Sequence, residues 1–406
     1  MKKTPRIAIT GIGMISPLGV TVSANWGNLL NGISGIDTIQ TFDTTDCLTR
    51  IGGQLPATFY EIEKKYFNRH SFKQTVRTTR IASLISKEAF HDSGLNLKTM
   101  DLKRCGVVLG TSGAVLDEND SSAGAATYRI IREMANAPPA RISLDLGFQG
   151  PCYTLTASNE SGACAITNAA DMIRWGNADV VIAGGVDALL TRNFIHRFNY
   201  HNLLTVHNSH PRSAVKPFDK NRDGFALSDG GCVVVLENAE YAHKRHARIY
   251  AYLTGYGVTT EQCAAGQSHV GMSNTMKMAL EKADISPERI DYICASGAAT
   301  VDSDLNEAKA IHHVFGSHVE QMMVSSFKPM VGHTMSANGA IGIAVCALAL
   351  KTGNVPPAVN LTNPDPECEL NFVTGDTLQS YPLSAVMNNA FGFDGSHWSM
   401  ILQSPQ

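Results

Sequence analysis

The stretch GPCYTLTASNESGACAITNAADMIRWGNADVVIAGGVD, Gly150–Asp187, decides how the rest of this 406-residue chain is read. A short extended run ends in small and polar residues, the spacing predicts an apolar helix from Gly162 to Trp175, and a strand from Asp179 to Ala183 leads to a Gly184–Gly185 turn. A helix that starts inside a protein aims unpaired N–H groups and partial positive charge at whatever lies before it, a setting suited to a thiolate or an oxyanion. The residues at that point are Ser158, Asn159, Glu160 and Ser161. None is a strong nucleophile without a base beside it.

Working outward, the chain repeats itself. The first strand, Arg6–Thr10, runs into Gly11-Ile12-Gly13, and IAITGIG there aligns with AYLTGYG from Ala251. Cys105–Gly113, CGVVLGTSG, has a counterpart in Asp291–Gly297, DYICASG. Asn159–Trp175 has one in Gly332–Lys351, where another apolar helix follows a small polar turn. Correspondences in the same order predict two similar α/β halves facing each other, residues 1–248 and 249–406, in one compact unit. The first half is longer through insertions, chiefly 117–140 and 190–223.

Charged residues make up 17% of the chain and hydrophobic residues 44%, so much of the surface is expected to lie against another chain. A net charge of −3 gives no basis for nucleic-acid or anionic-membrane binding. The nine cysteines include no CxxC pair and mostly sit among aliphatic residues, which points to packing and a reducing cytoplasm. The N-terminus lacks a signal-peptide core, and the longest apolar run, Ile341–Leu350, is too short to span a bilayer. A soluble, cytoplasmic protein is expected.

The longer motifs carry a resemblance. KPFDKNRDGFALSDGG (Lys216–Gly231), SSFKPMVGHTMSANGAIG (Ser325–Gly342), PPAVNLTNPDPEC (Pro356–Cys368) and NNAFGFDGSH (Asn388–His397), with Arg6–Gly13, resemble the β-ketoacyl-acyl-carrier-protein synthases. The resemblance implies the thiolase fold, α/β halves duplicated in a layered αβαβα arrangement. It also implies decarboxylative Claisen condensation by a cysteine and two histidines. In that family the nucleophile lies three residues before the glycine of a Ser-Gly pair, which here is Asn159, and a carboxamide cannot form a thioester. The first histidine position holds Ser296, in Ala295-Ser296-Gly297-Ala298-Ala299-Thr300. The other histidine is kept as His333, with the associated Lys328, the acidic Glu307 and the loop aromatic Phe393, although Asp394 follows where a glycine is usual. Bland roles stand beside these: Asn159 as a helix cap, His333 as a hydrogen-bonded core histidine, and Lys328 as the neutraliser of a buried acid such as Glu307. Cys164, Cys152 and Cys294 read as packing residues.

Loss of both groups from an otherwise complete synthase resembles the chain length factor, or ketosynthase β subunit, of type II polyketide systems. That resemblance implies a heterodimer with an active ketosynthase α subunit, paired through the strand Tyr153, Thr154, Leu155 and Thr156. It implies a chain tunnel near Ser112, Val115, Leu116, Tyr128, Ile131 and Met134, where bulk would stop elongation and where ordinary helix packing is the competing role. No cofactor and no metal is expected, the acyl chain being carried on the phosphopantetheine of a partner acyl carrier protein. Lys64, Lys65 and Arg69 form a basic run that reads equally as a solvated face. Two alternatives remain: a malonyl-carrier-protein decarboxylase that uses His333 and Asn159 to hold an enolate, and a purely structural ketosynthase partner.

Overall fold

A computed structural model describes residues 5–112, 125–261, 269–375 and 380–405. Twelve strands run in chain order as β1 (Ile7–Ile15), β2 (Ile36–Thr38), β3 (Ile51–Gly53), β4 (Cys105–Gly110), β5 (Cys152–Leu155), β6 (Val180–Asp187), β7 (Gly230–Asn238), β8 (Ala251–Thr260), β9 (Tyr292–Cys294), β10 (Met323–Ser325), β11 (Ala385–Phe391) and β12 (Ser396–Gln403). Ten of them form one sheet in the order β10-β9-β11-β12-β8-β1-β7-β6-β4-β5, and β2 with β3 forms a small hairpin-like pair. From the centre outward, the two arms match strand for strand. In each, the first two neighbour pairs are antiparallel (β1–β7–β6 and β8–β12–β11), and the outer ones parallel (β6–β4–β5 and β11–β9–β10). Within the sheet the arms meet where Ile7, Ala8 and Ile9 of β1 pair with Leu253, Tyr252 and Ala251 of β8. This is the duplicated, layered thiolase fold.

Between the arms lie two core helices, Ser161–Arg174 and Asn338–Thr352, packed on each other and together on strands of both arms. Outer helices close the faces: Arg77–Ser93 over β1 and β7, and His269–Ala283 over β8 and β12. The second core helix is apolar on every side because protein surrounds it. With the turn before it, the stretch Met335–Thr352 is apolar over eighteen residues, longer than the run read from sequence, but 83% of it is buried inside the fold. It is a core element by position.

Glycines expected to end strands do not do so. Gly11 and Gly13 lie inside β1, Gly184 and Gly185 inside β6, and Gly255 and Gly257 inside β8. Their missing side chains let other backbone come close: a Cβ at Gly185 or at Gly162 would overlap the carbonyl of Ser336, just before the second core helix. Local sequence shows a glycine pair and no partner, so a turn and a close approach look alike.

The two sheet edges differ. Beyond β10, residues 371–373 add a further layer of backbone bonds, with Val324 N–H donating to Asn371 O at 3.0 Å and Val373 N–H to Val324 O at 3.0 Å. Beyond β5, no strand follows among the described residues.

The helix crossing makes a contrast in glycine substitutions. A Cβ at Gly339 would stand 2.7 Å from that of Ala163, whereas one at Gly27, in the helix Val22–Leu30, meets nothing within 4 Å. Gly339→Leu should destabilise the chain by about 1–3 kcal/mol or more, and Gly27→Ala should be neutral or stabilise it by roughly 0.5–1 kcal/mol. Urea unfolding curves of the two variants check this.

Candidate functional site

Asn159 follows β5 through a tight turn that ends in the first core helix. Ser158 holds a left-handed conformation, φ 49°, which carries strain for a residue other than glycine. Ser161 stabilises it: its Oγ accepts from Ala157 N–H at 2.9 Å and donates to Ser158 O at 2.7 Å. Asn159 itself is fully buried. Its Nδ2 donates to Glu160 Oε1 at 2.8 Å, and its Oδ1 accepts the backbone N–H of Phe393 at 3.3 Å. The expected capping role does not hold: the N-cap residue is Glu160, with no side-chain bond to the helix, and the Asn159 oxygen faces the loop after β11 instead. The carboxamide thus occupies the backbone donor of Phe393.

Ser296 follows β9. Its N–H and that of Gly297 donate to the two oxygens of Glu307 at 2.8 Å each, and Asn389 Nδ2 reaches Oε1 at 3.3 Å. The Ser296 hydroxyl accepts from Phe391 N–H at 3.3 Å. Glu307 is therefore a backbone clamp on this turn, and burial raises its pKa against those bonds. Lys328 opens the short helix Lys328–Val331 and is buried, its ammonium donating to the Ser296 carbonyl. Burial lowers its pKa, while Glu160 and then Glu307 oppose that shift by their charge. The neutralising role read for Lys328 thus involves Glu160 first and Glu307 second.

His333 follows Gly332 and is likewise buried. Asn338 Oδ1 accepts from Thr334 N–H at 3.1 Å and from its hydroxyl at 3.0 Å, which turns Asn338 Nδ2 towards the imidazole. His333 Nδ1 then accepts from Met335 N–H at 3.3 Å, and Asn338 Nδ2 lies 3.0 Å from Nδ1 and 3.2 Å from Nε2. A ring nitrogen that accepts carries no proton, so the proton sits on Nε2. Burial, with the Lys328 charge adding to it, pushes the His333 pKa well below its ordinary value. The ring packs on Phe225, centroids 4.4 Å apart, and on Phe393 at 5.2 Å. His333 is a neutral hydrogen-bond donor and not a proton acceptor here.

No thiol replaces the missing one among the described residues of this pocket. Cys164 is partly exposed and burial raises its pKa. Cys294 is buried, whereas Cys152, read as a packing residue, is exposed on β5 in the single chain, because that edge is uncovered. The tunnel positions are spread out. Ser112 donates to Asp187 from its N–H at 3.1 Å and its hydroxyl at 2.6 Å, and its Oγ lies 2.9 Å from that of Ser336, so the hydroxyl is committed to a buried network. Val115, Leu116 and the side chain of Tyr128 lie outside the described residues. Ile131 is 62% exposed and Met134 47%, beside Thr154, whose hydroxyl donates to Ala135 O at 2.8 Å. Elsewhere Asp46, Cys47 and His196 converge within 4.8 Å, but Arg192 pairs with both oxygens of Asp46.

Glu160 is the residue that motif comparison passed over. It is wholly buried, its Oε2 has no hydrogen-bond partner, and burial raises its pKa to about 8, against the pull of Lys328. Its signal was a carboxylate among small residues at the start of a buried helix. The sign follows from linkage: the folded chain holds a proton that the unfolded chain gives up from pH 4.5, so this stabilisation is full below pH 4.5 and is lost as pH rises through 8. The Tm of wild type relative to Glu160→Gln should therefore fall between those limits. A difference that stays flat in scanning calorimetry contradicts the assignment.

The site can be set beside known proteins. The β-ketoacyl synthase N-terminal domain model matches residues 4–242 and the C-terminal domain model residues 250–362. The 3-oxoacyl-[acyl-carrier-protein] synthase 2 of Coxiella burnetii is 33% identical, covering 98% of this chain and 98% of its own length. That of Staphylococcus aureus is 31% identical over 99% of each. Among solved structures, the ishigamide ketosynthase/chain length factor superposes with a TM-score of 0.90 at 26% identity over the whole of both chains. A type II polyketide synthase acyl-carrier protein in complex with its ketosynthase bound to the hexaketide gives 0.87 at 25%, again over both chains entire. The chain belongs to the β-ketoacyl synthase family.

Proposed function

We propose that the chain is a chain length factor: a non-acylating subunit that pairs with an active ketosynthase and shapes the tunnel in which a polyketide grows. The observation that carries the reading is Asn159 at the nucleophile position, its carboxamide bonded to the Phe393 N–H, in a pocket where Ser296 stands at the first histidine position. Relatives at 31–33% identity are named as synthases, and Asn159 and Ser296 are departures of this chain from the synthase motif at the nucleophile and first-histidine positions. Likeness to a ketosynthase/chain length factor and to a ketosynthase with its acyl-carrier protein supports both partners, an active ketosynthase and an acyl carrier protein. The acyl chain rides on the carrier's phosphopantetheine, so the subunit requires no cofactor of its own.

Pairing through β5 is supported by its open edge and by Ile130, Ile131 and Met134 exposed beside it. Val107 N–H donates to Pro151 O and Thr111 N–H to Leu155 O, so alternate residues of β5 face β4. Cys152 and Thr154 then turn their backbone groups outward. One observation favours a second reading, a malonyl-carrier-protein decarboxylase: His333 offers its Nε2 proton as a neutral donor, which an enolate oxygen would accept. Against it, Asn159 takes the Phe393 donor and Ser296 offers no imidazole.

Two outcomes test the proposal. Co-expressed with an active ketosynthase from the same organism, the chain should co-purify one to one, and Thr154→Pro, which removes an outward N–H, should abolish co-purification while leaving the chain folded by circular dichroism. In the purified pair, this subunit should take no label from acyl-carrier protein and release no carbon dioxide from malonyl-carrier protein by itself, while Met134→Trp should shorten the product. Label on this chain would overturn the reading; carbon dioxide release would favour the decarboxylase; unchanged product length across Ile131 and Met134 substitutions would favour a purely structural partner.

A further inference from the structure

Away from the buried pocket, three side chains with metal-ligand chemistry converge near the surface: Asp46 and Cys47, in the loop between β2 and β3, and His196, on the helix Arg192–Tyr200. One atom from each lies within 4.8 Å of the other two. His196 Nε2 stands 3.4 Å from Asp46 Oδ2 and 3.8 Å from Cys47 Sγ, and that Sγ stands 3.8 Å from Asp46 Oδ1. The first distance is longer than a good N–H···O bond of about 2.7–3.2 Å. A tetrahedral zinc ion, with bonds of about 2.3 Å to sulfur and about 2.0–2.1 Å to nitrogen and oxygen, sets its nitrogen and oxygen ligands roughly 3.4 Å apart and either of them roughly 3.6 Å from sulfur. The observed spacings match the edges of that tetrahedron to within a few tenths of an ångström. One ring nitrogen faces both the sulfur and the carboxylate, as a shared ion requires; a catalytic triad would use both ring nitrogens.

We propose that Asp46, Cys47 and His196 form a binding site for a thiophilic divalent cation of the zinc class, which fastens the β2–β3 loop to the helix Arg192–Tyr200. The loop is already held for this geometry, because Asn208 Nδ2 donates to Leu48 O at 2.8 Å and its Oδ1 accepts from Arg50 N–H at 2.7 Å. Arg192 and His196, one helical turn apart, both reach Asp46. Arg192 does not block the carboxylate: its hydrogen bond holds Asp46 below the ordinary carboxylate range and so ionised, and each oxygen keeps a second lone pair for a metal. Cys47 is buried while Asp46 and His196 are exposed, so the fourth coordination position opens to water. On binding, Cys47 gives its S–H proton to solvent as the metal–sulfur bond forms, with no change of oxidation state. Thiolate, carboxylate and Arg192 then carry one net negative charge, more favourable to a dication than the neutral ligands of a three-histidine zinc centre. Sulfur and imidazole select this class over magnesium and calcium. The clip lies beside the apolar cluster of Ile195, Leu204 and Phe225, and the Phe225 ring packs on His333.

Cobalt(II) reports on such a site, because a cobalt thiolate has a charge-transfer band in the near ultraviolet and tetrahedral cobalt has strong visible bands. Titrated into the full chain, with its thiols reduced and any affinity tag removed, cobalt should raise both sets of bands up to one equivalent. One equivalent of zinc should then bleach them, whereas magnesium or calcium in large excess should not. Cys47→Ser should lose the charge-transfer band. His196→Ala should weaken cobalt binding at least about tenfold, since removing even a group that only orients a ligand costs about 10–100-fold. His196 is exposed, so this variant keeps the test decisive if Cys47→Ser fails to fold. Absence of a charge-transfer band at one equivalent, a band that survives both substitutions, or displacement of cobalt by magnesium would overturn the proposal. The titration contains no carrier or partner chain, and its outcome is independent of the chain-length reading.

Discussion

The contact between the two core helices governs the rest of the molecule. At their crossing the Ser336 carbonyl lies over Gly162 and Gly185, and Gly339 abuts Ala163, so side chains are excluded where the halves meet. Close backbone approach of this kind fixes relative position more tightly than a layer of long side chains, because there is no rotamer to adjust. It brings the start of one core helix, with Asn159, and the segment before the other, with His333, into a single buried region. The strained turns at Ser158 and Met335 are held in place by the same packing.

Within that region the polar groups are tied into hydrogen bonds. Each group that a condensing site would leave available has a partner: the Phe393 N–H goes to Asn159, the His333 Nδ1 to Asn338 and Met335, and the Lys328 ammonium to Ser296. Glu307 binds two consecutive backbone N–H groups and so keeps the Ser296 turn in shape without any titrating role. Glu160 Oε2 is the exception, a buried oxygen without a partner in this otherwise satisfied network.

The duplication was legible from sequence because it rests on periodicity and order: IAITGIG and AYLTGYG do fall on equivalent strands, β1 and β8. Positions 159 and 296 could be singled out from sequence because Ser161-Gly162 follows the first and Ala295 and Gly297 flank the second, although Ala298 and Ala299 depart from the family run. What was lost is what depends on distant partners. Strand glycines read as turns because Ser336 is far away in sequence from Gly162 and Gly185. Asn159 read as a cap because the Phe393 donor lies 234 residues on. Glu160 was visible in the quoted stretch, yet only burial and the absence of a partner for Oε2 set it apart from a surface glutamate.

The unequal sheet edges have a consequence for how far assembly can go. A duplicated fold has two outer strands, and if both were open, each chain could add neighbours at both ends and grow into a filament. Here the backbone of residues 371–373 already satisfies β10, and only β5 remains free among the described residues. The extra layer on the second half thus closes one end of the repeat to strand addition and leaves the other end as the edge at which a neighbouring strand could add.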